Sequence, residues 1–138
     1  MKISPYISFN GNCAEAVAFY EKAFDVKAEI MRYSDAPPEN GYEAAPGTEN
    51  LVMHAQFEID GEMIMLCDYP PVETVKIGTN IAIMAEFESV NVATMVFNTL
   101  KEGGEVSMEL QETFWSKWFG SLTDKFGIIW NISIGCPE

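Results

Sequence analysis

Positive charge is scarce in this chain. Of its 138 residues only eight are Lys or Arg, against 21 Asp or Glu, for a formal charge of −13. Arg32 is the single arginine. So acidic a chain repels phosphate backbones and anionic headgroups, which excludes nucleic acid and membrane surfaces as partners and leaves no arginine cluster to grip a phosphate-rich ligand. Long apolar runs are missing as well. None approaches the roughly 20 residues of a membrane-crossing helix, and no apolar signal segment opens the chain. Cysteine is limited to Cys13, Cys67 and Cys136, widely spaced and odd in number. That pattern reads as free thiols in a reducing cytoplasm. Histidine is limited to His54, and no G-x-G occurs anywhere. The glycine-rich turn through which a Rossmann-type sheet holds its cofactor is therefore lacking.

What is present suffices for a core. Hydrophobic residues make up 48% of the chain, and the length fits one domain, 1–138. Within it the same order is spelled twice, over halves 1–75 and 76–138. Ile3 to Phe9 alternate as a strand. Asn12 with Glu15 fits a helix cap and capping box, and Cys13, Ala16, Val17, Tyr20 and Phe24 follow at helical spacing. Lys27 to Tyr33 reads as a strand. A Pro- and Gly-containing loop covers Ser34 to Asn50. Leu51 to Ile59 and Met63 to Cys67 form a hairpin about Asp60-Gly61. In the second half Thr79 to Phe87 is a strand, Ser89 caps a helix carrying Val92, Ala93, Val96, Phe97 and Leu100, and Gly103-Gly104 ends it. Glu105 to Leu110, Trp115 to Thr123 and Ile128 to Ile134 are the remaining strands. The fold class is α+β: two tandem βαβββ modules forming a mixed, curved sheet with a cleft.

All three tryptophans, with Phe114, Phe119 and Phe126, fall between Gln111 and Trp130. Such a stretch is either core or the aromatic wall of a binding cavity. Along the Trp115 to Thr123 strand, Trp115, Lys117, Phe119 and Ser121 share one face, and Trp118, Gly120 and Leu122 the other. Lys117 either pairs with a ligand carboxylate or extends to water. Gly120 in mid-strand marks a bulge or a close approach.

Several stretches carry a resemblance: P-Y-I-S-F-N-G-N-C-A-E-A at 5–16, S-D-A-P-P-E at 34–39, M-H-A at 53–55, Q-E-T-F-W-S-K-W-F-G at 111–120 and T-D-K-F-G at 123–127. The chain resembles the PhnB-like branch of the vicinal oxygen chelate superfamily, which includes glyoxalase I, extradiol dioxygenases and bleomycin-resistance proteins. That branch is often labelled demethylubiquinone methyltransferase-like. The missing glycine-rich turn and the non-alternating element order argue against reading the label literally. The resemblance implies a homodimer. In metal-using members it also implies His and Glu ligands on four strands. The matching positions here are Pro5 or Tyr6, Met65, Asn80 and Asn131, none of which is a His, Asp, Glu or Cys. The expectation is therefore no metal and no cofactor.

His54 remains. Alternation along Leu51 to Ile59 puts Val52, His54, Gln56 and Glu58 on one face. His54 is then a general base, a ligand-orienting group, a ligand of a displaced metal site with Glu58, or a hydrogen-bonded surface histidine. Cys67, beside Met63 and Met65 on one face, reads as packing, and Asp35 and Asp68 as turn residues bonding their own backbone. Two functions follow. The first is a metal-free binding module for a small, partly aromatic or cationic molecule, with Tyr6, His54, Gln56, Asn80, Trp115, Lys117, Phe119 and Asn131 as ligand-binding candidates. The alternative is an enzyme on the same fold that uses His54 or a nonstandard metal.

Overall fold

A computed structural model describes residues 1–35, 46–70 and 73–135. The chain divides into two compact units, Met1–Lys76 and Ile77–Glu138, and each is a βαβββ module. The first contains β1 (Tyr6–Phe9), α1 (Cys13–Phe24), β2 (Glu29–Arg32), a one-turn 3-10 helix (Tyr33–Asp35), β3 (Val52–Ile59) and β4 (Glu62–Asp68). The second contains β5 (Ala82–Phe87), α2 (Val90–Leu100), β6 (Glu105–Gln111), β7 (Trp118–Thr123) and β8 (Ile129–Ile134). Each builds its own four-stranded mixed sheet, in the orders β1-β4-β3-β2 and β5-β8-β7-β6. In both, the first strand runs parallel to the last, and the other pairings are antiparallel.

Helical spacing places Cys13, Ala16, Val17 and Tyr20 of α1 in the first core, all at 0% exposure. Tyr20 and Phe24 lie against Phe57 of β3, with ring centroids 6.3 and 6.2 Å away. Leu66 and Ile64 of β4 join them from the same face. The hairpin turn at Asp60-Gly61 takes φ of 49° and 87°, the left-handed pair that matches strand twist and that Asp-Gly tolerates.

The start of α1 differs from expectation. Asn12 makes no side-chain cap bond. The carboxylate of Asp68, at the end of β4, does the work instead. Its Oδ1 accepts from the Cys13 N–H at 2.9 Å and its Oδ2 from the Val52 N–H at 3.0 Å. Asp68 is thus not a turn residue bonding its own loop. It is a buried acceptor that satisfies two backbone donors from distant segments, one at the helix N-terminus where negative charge is favoured. Asp35 does follow the local pattern, accepting from the Arg32 N–H at 2.9 Å.

Strand limits shift too. Alternation along β3 fails at its start: the pairing with β2 slips so that Met31 faces His54 and Arg32 faces Val52. The bulge leaves Met53 unpaired and buries Val52 on the core side. In the second unit β5 begins at Ala82 and β7 at Trp118, so Asn80, Trp115 and Lys117 precede their strands. The loop residues 36–45 and Cys136 lie outside the described residues.

In the second unit Ser89 caps α2 as expected, accepting from the Val92 N–H at 3.3 Å. Ala93, Val96, Phe97 and Leu100 are buried against Leu122, Trp130 and Ile132. Gly120 marks a close approach: a Cβ there would sit 2.8 Å from Phe97 Cε2 and 3.0 Å from Leu110 Cδ2. Asp124 is the buried acceptor of this unit. Its carboxylate takes the N–H groups of Phe126 (2.9 Å) and Ile128 (3.1 Å) and the indole N–H of Trp130 (2.9 Å).

Candidate functional site

The first sheet has one face against α1 and one turned away from it. Register assigns the helix-free face: Tyr6 pairs with Met65 and Ser8 with Cys67, while Gln56 pairs with both Met65 and Glu29 and His54 with Met31. The side chains there are aromatic, sulfur-bearing and polar, in contrast to the aliphatic and aromatic core behind them.

A chain of hydrogen bonds crosses this face. Tyr6 Oη lies 2.8 Å from His54 Nδ1. His54 Nε2 lies 3.0 Å from Gln56 Oε1. Gln56 Nε2 donates to Glu29 Oε2 at 3.5 Å. The roles follow from the far end. A carboxylate only accepts, so Glu29 turns the Gln56 amide nitrogen toward itself and the amide oxygen toward the ring. His54 Nε2 must then carry its hydrogen. In the neutral ring Nδ1 is the acceptor, and the Tyr6 hydroxyl is the donor. The Tyr6 and His54 rings also meet edge to face, with centroids 5.5 Å apart.

Tyr6 is 52% exposed. Burial pushes the phenol above its ordinary value of 10.0. The charge of Cys67 and a hydrogen bond with it add to the rise, followed by Cys13 and Tyr33. Ser8 Oγ lies 3.6 Å from Cys67 Sγ.

The second unit gathers other candidates. Asn131 pairs with Ser121 and Met84, and Phe119 with Ser133, all on the helix-free face of the second sheet. Trp115 sits over Phe119 edge to face at 5.6 Å, and Phe114 over Trp115 at 4.7 Å. Between them Ser116 is 1% exposed, with its hydroxyl bonded to Trp118 O, Ile134 O and Ser133 Oγ. This buried serine fixes the loop that carries Trp115. Asn80 and Lys117 are exposed, and the Lys117 backbone N–H bonds Ile134 O and Gly135 O at 3.2 Å.

Of the expected ligand-binding residues, Tyr6, His54 and Gln56 therefore come into direct contact, as do Trp115 and Phe119. Asn131 shares the helix-free face with Phe119. Asn80 and Lys117 stand apart from either group. The sequence reading missed Glu29, Ser8 and Cys67. Alternation did place Cys67 on a face with Met63 and Met65, but nothing local announced the parallel β1–β4 pairing that brings Ser8 and Tyr6 to it.

The residues present do not fit the divalent ion used by metal-dependent relatives of this fold. Among the described residues no three His, Cys, Asp or Glu side chains come together. One imidazole between a phenol and an amide is not a donor set for zinc or iron, and offers too few hard oxygens for magnesium.

Two tandem βαβββ modules define the class: the glyoxalase/bleomycin resistance/dioxygenase, or vicinal oxygen chelate, fold. The fosfomycin resistance protein FosX from Listeria monocytogenes shares it at a TM-score of 0.62 and 14% identity, over 98% of this chain and 92% of that one. Within that class, residues 1–133 match the family model described as 3-demethylubiquinone-9 3-methyltransferase, and the chain belongs to this PhnB-like family. Protein PA1353 from Pseudomonas aeruginosa is 32% identical, with a TM-score of 0.87 and 98% of both chains covered. A protein from Bacillus cereus titled putative 3-demethylubiquinone-9 3-methyltransferase, PhnB protein, is 29% identical, with a TM-score of 0.77 over 98% of this chain and 100% of that one. No helix among the described residues is long and apolar enough to cross a membrane.

Proposed function

We propose that this chain binds a small organic molecule, without a metal, on the helix-free face of its first sheet. Tyr6, His54 and Gln56 are its polar contacts. The observation that carries the reading is the Tyr6–His54–Gln56–Glu29 hydrogen-bond chain. It holds four polar groups in fixed orientation on a face otherwise lined by Met63, Met65 and Met31, which supply adaptable apolar contact. The Tyr6 ring and the Glu29 carboxylate favour a ligand with an aromatic or cationic part. Trp115, Phe119 and Asn131 supply a second aromatic and polar surface. A homodimer and a cytoplasmic setting belong to the same proposal, the latter supported by the free Cys13 and Cys67 thiols.

The test is a chemical-shift titration of the full chain against a panel of small aromatic amines and aromatic acids. Binders should perturb Tyr6 and His54, and their Kd should weaken about tenfold in His54→Ala, one lost polar contact being worth roughly that much. Binders indifferent to both His54→Ala and Tyr6→Phe would sink this reading. The Tyr6–His54 contact also favours a second one, in which His54 moves a proton during turnover. Its mark is a His54→Ala chain that binds ligand normally but no longer converts it.

A further inference from the structure

We propose that the outward face of α2 is where a second copy of this chain docks, helix against antiparallel helix. The inference rests on the homodimer reading above and gives that homodimer its surface. Charged residues make up 21% of the chain, yet none lies between Ser89 and Leu100. Ala93, Val96, Phe97 and Leu100 face the core. The helical repeat then sets Asn91, Met95 and Asn98 on the opposite side, flanked by Val90 and Val92. Met95 is 69% exposed, Val90 50% and Val92 48%, and both asparagines are exposed. The Thr94 and Thr99 hydroxyls donate one turn back, to Val90 O at 2.7 Å and Met95 O at 3.0 Å, so their donors are satisfied within the helix. The first cation after the helix, Lys101, holds its ammonium 5.8 Å from the centre of the buried Phe97 ring, on the core side.

The repeat supplies a control. α1 occupies the same place in the first module, and its outward seam is Glu15, Ala18 and Lys22, all exposed. That is an ordinary solvated helix face. α2 has the same kind of core stripe without the charged outside. A chain of formal charge −13 repels its own copies wherever acidic surfaces meet. An uncharged seam is where two copies approach at least cost. The seam is also self-complementary, as a two-fold contact must be. Asn91 and Asn98 lie about 10 Å apart along the helix axis, with Met95 within one residue of their midpoint. Laid antiparallel, Asn91 of each copy meets Asn98 of the other, and each amide both donates and accepts. The two Met95 side chains pack beside the two-fold axis as adaptable apolar contact. A partner of different sequence drawn to so acidic a chain needs cationic groups, and α2 offers them no counter-charge.

Sedimentation equilibrium of the full, reduced chain tests the assignment. The unaltered chain should dimerise. Met95→Glu and Met95→Lys each set like charges side by side at the axis, so each should raise the dimer Kd at least about tenfold. An equimolar mixture of the two variants should dimerise again, Glu against Lys, which an unfolded variant could not do. Ala18→Glu, on the outward face of α1, should leave the Kd unchanged. A dimer that both Met95 variants retain would overturn the α2 surface and leave the homodimer standing. A monomeric unaltered chain would overturn both. Variants that dissociate but fail to recombine, or an equal effect of Ala18→Glu, would show that α2 does not face its own copy.

Discussion

The Tyr6 hydroxyl and His54 Nδ1 meet at 2.8 Å although 48 positions separate them in the chain. The contact depends on β4 as a spacer: β1 lies parallel on one side of it and β3 antiparallel on the other. Two side chains of the helix-free face reach across that central strand. The pairing fixes which ring nitrogen holds the hydrogen. Since His54 is the sole histidine, its tautomer is directly measurable in a two-dimensional nitrogen–carbon-proton spectrum. The neutral ring should be the Nε2–H form. Tyr6→Phe should give a mixture of both tautomers, since the acceptor role of Nδ1 loses its partner. A predominant Nδ1–H form in the unaltered chain would reverse the donor order derived from Glu29.

Asp68 should be among the costliest single positions in the first unit. It is 2% exposed, and its two oxygens serve Cys13 N and Val52 N. Removing the carboxylate leaves two buried backbone donors without acceptors and takes negative charge from a helix start. Asp68→Ala should lose about 3 kcal/mol in urea unfolding. Asp68→Asn keeps one oxygen acceptor and should lose about half as much. Equal stabilities for Asp68→Ala and the unaltered chain would mean that water replaces the carboxylate.

These two contacts also show what could and could not be read from sequence. Element order and core faces were legible because burial writes itself as periodicity: the α1 and α2 stripes, the Asp60-Gly61 turn and the Ser89 cap are local signals. The β3 bulge was not, because the slip at Met31 and Arg32 depends on pairing with another strand. Asp68 was misassigned for the same reason. A turn residue before Tyr-Pro-Pro and a buried acceptor for two distant backbone groups look alike in one dimension. His54 and Gln56 were placed together by their spacing of two along β3. Tyr6 came from the family pattern, and Cys67 and Glu29 entered only through strand register.

Gly120 tests the second unit. The sequence reading left a bulge and a close approach open. The close approach is present: a methyl group there would meet Phe97 on α2 and both the side chain and backbone nitrogen of Leu110. The pairing of β6 with β7 is also irregular between Met108 and Gln111, opposite this position. Gly120→Ala should therefore destabilise by about 2 kcal/mol, the usual cost of forcing atoms into a filled core. The readout is a lower denaturant midpoint at unchanged slope. A stabilised variant would show that α2 can move outward freely.

Alkaline conditions should weaken the fold through Cys13. Burial pushes its thiol well above the ordinary 9.0, and the charges of Asp68 and Cys67 add to the rise, while Arg32 opposes it. The folded chain therefore keeps a proton on Cys13 at a pH where the unfolded chain has released it. With fewer protons bound in the unfolded state, stability must fall as pH rises. The contribution is fully present below the unfolded value and drains away above it. Tyr6, raised above 10.0, adds loss of the same sign further up. Cys13→Ala removes the thiol titration but keeps a small apolar residue at the start of α1. Unfolding free energies measured in urea with a reductant at about pH 8 and about pH 10 should fall more steeply for the unaltered chain, by up to about 1.4 kcal/mol per pH unit. Parallel lines for the two proteins would mean that the Cys13 thiol ionises as readily in the fold as outside it, and that the seal made by α1 over Asp68 admits water.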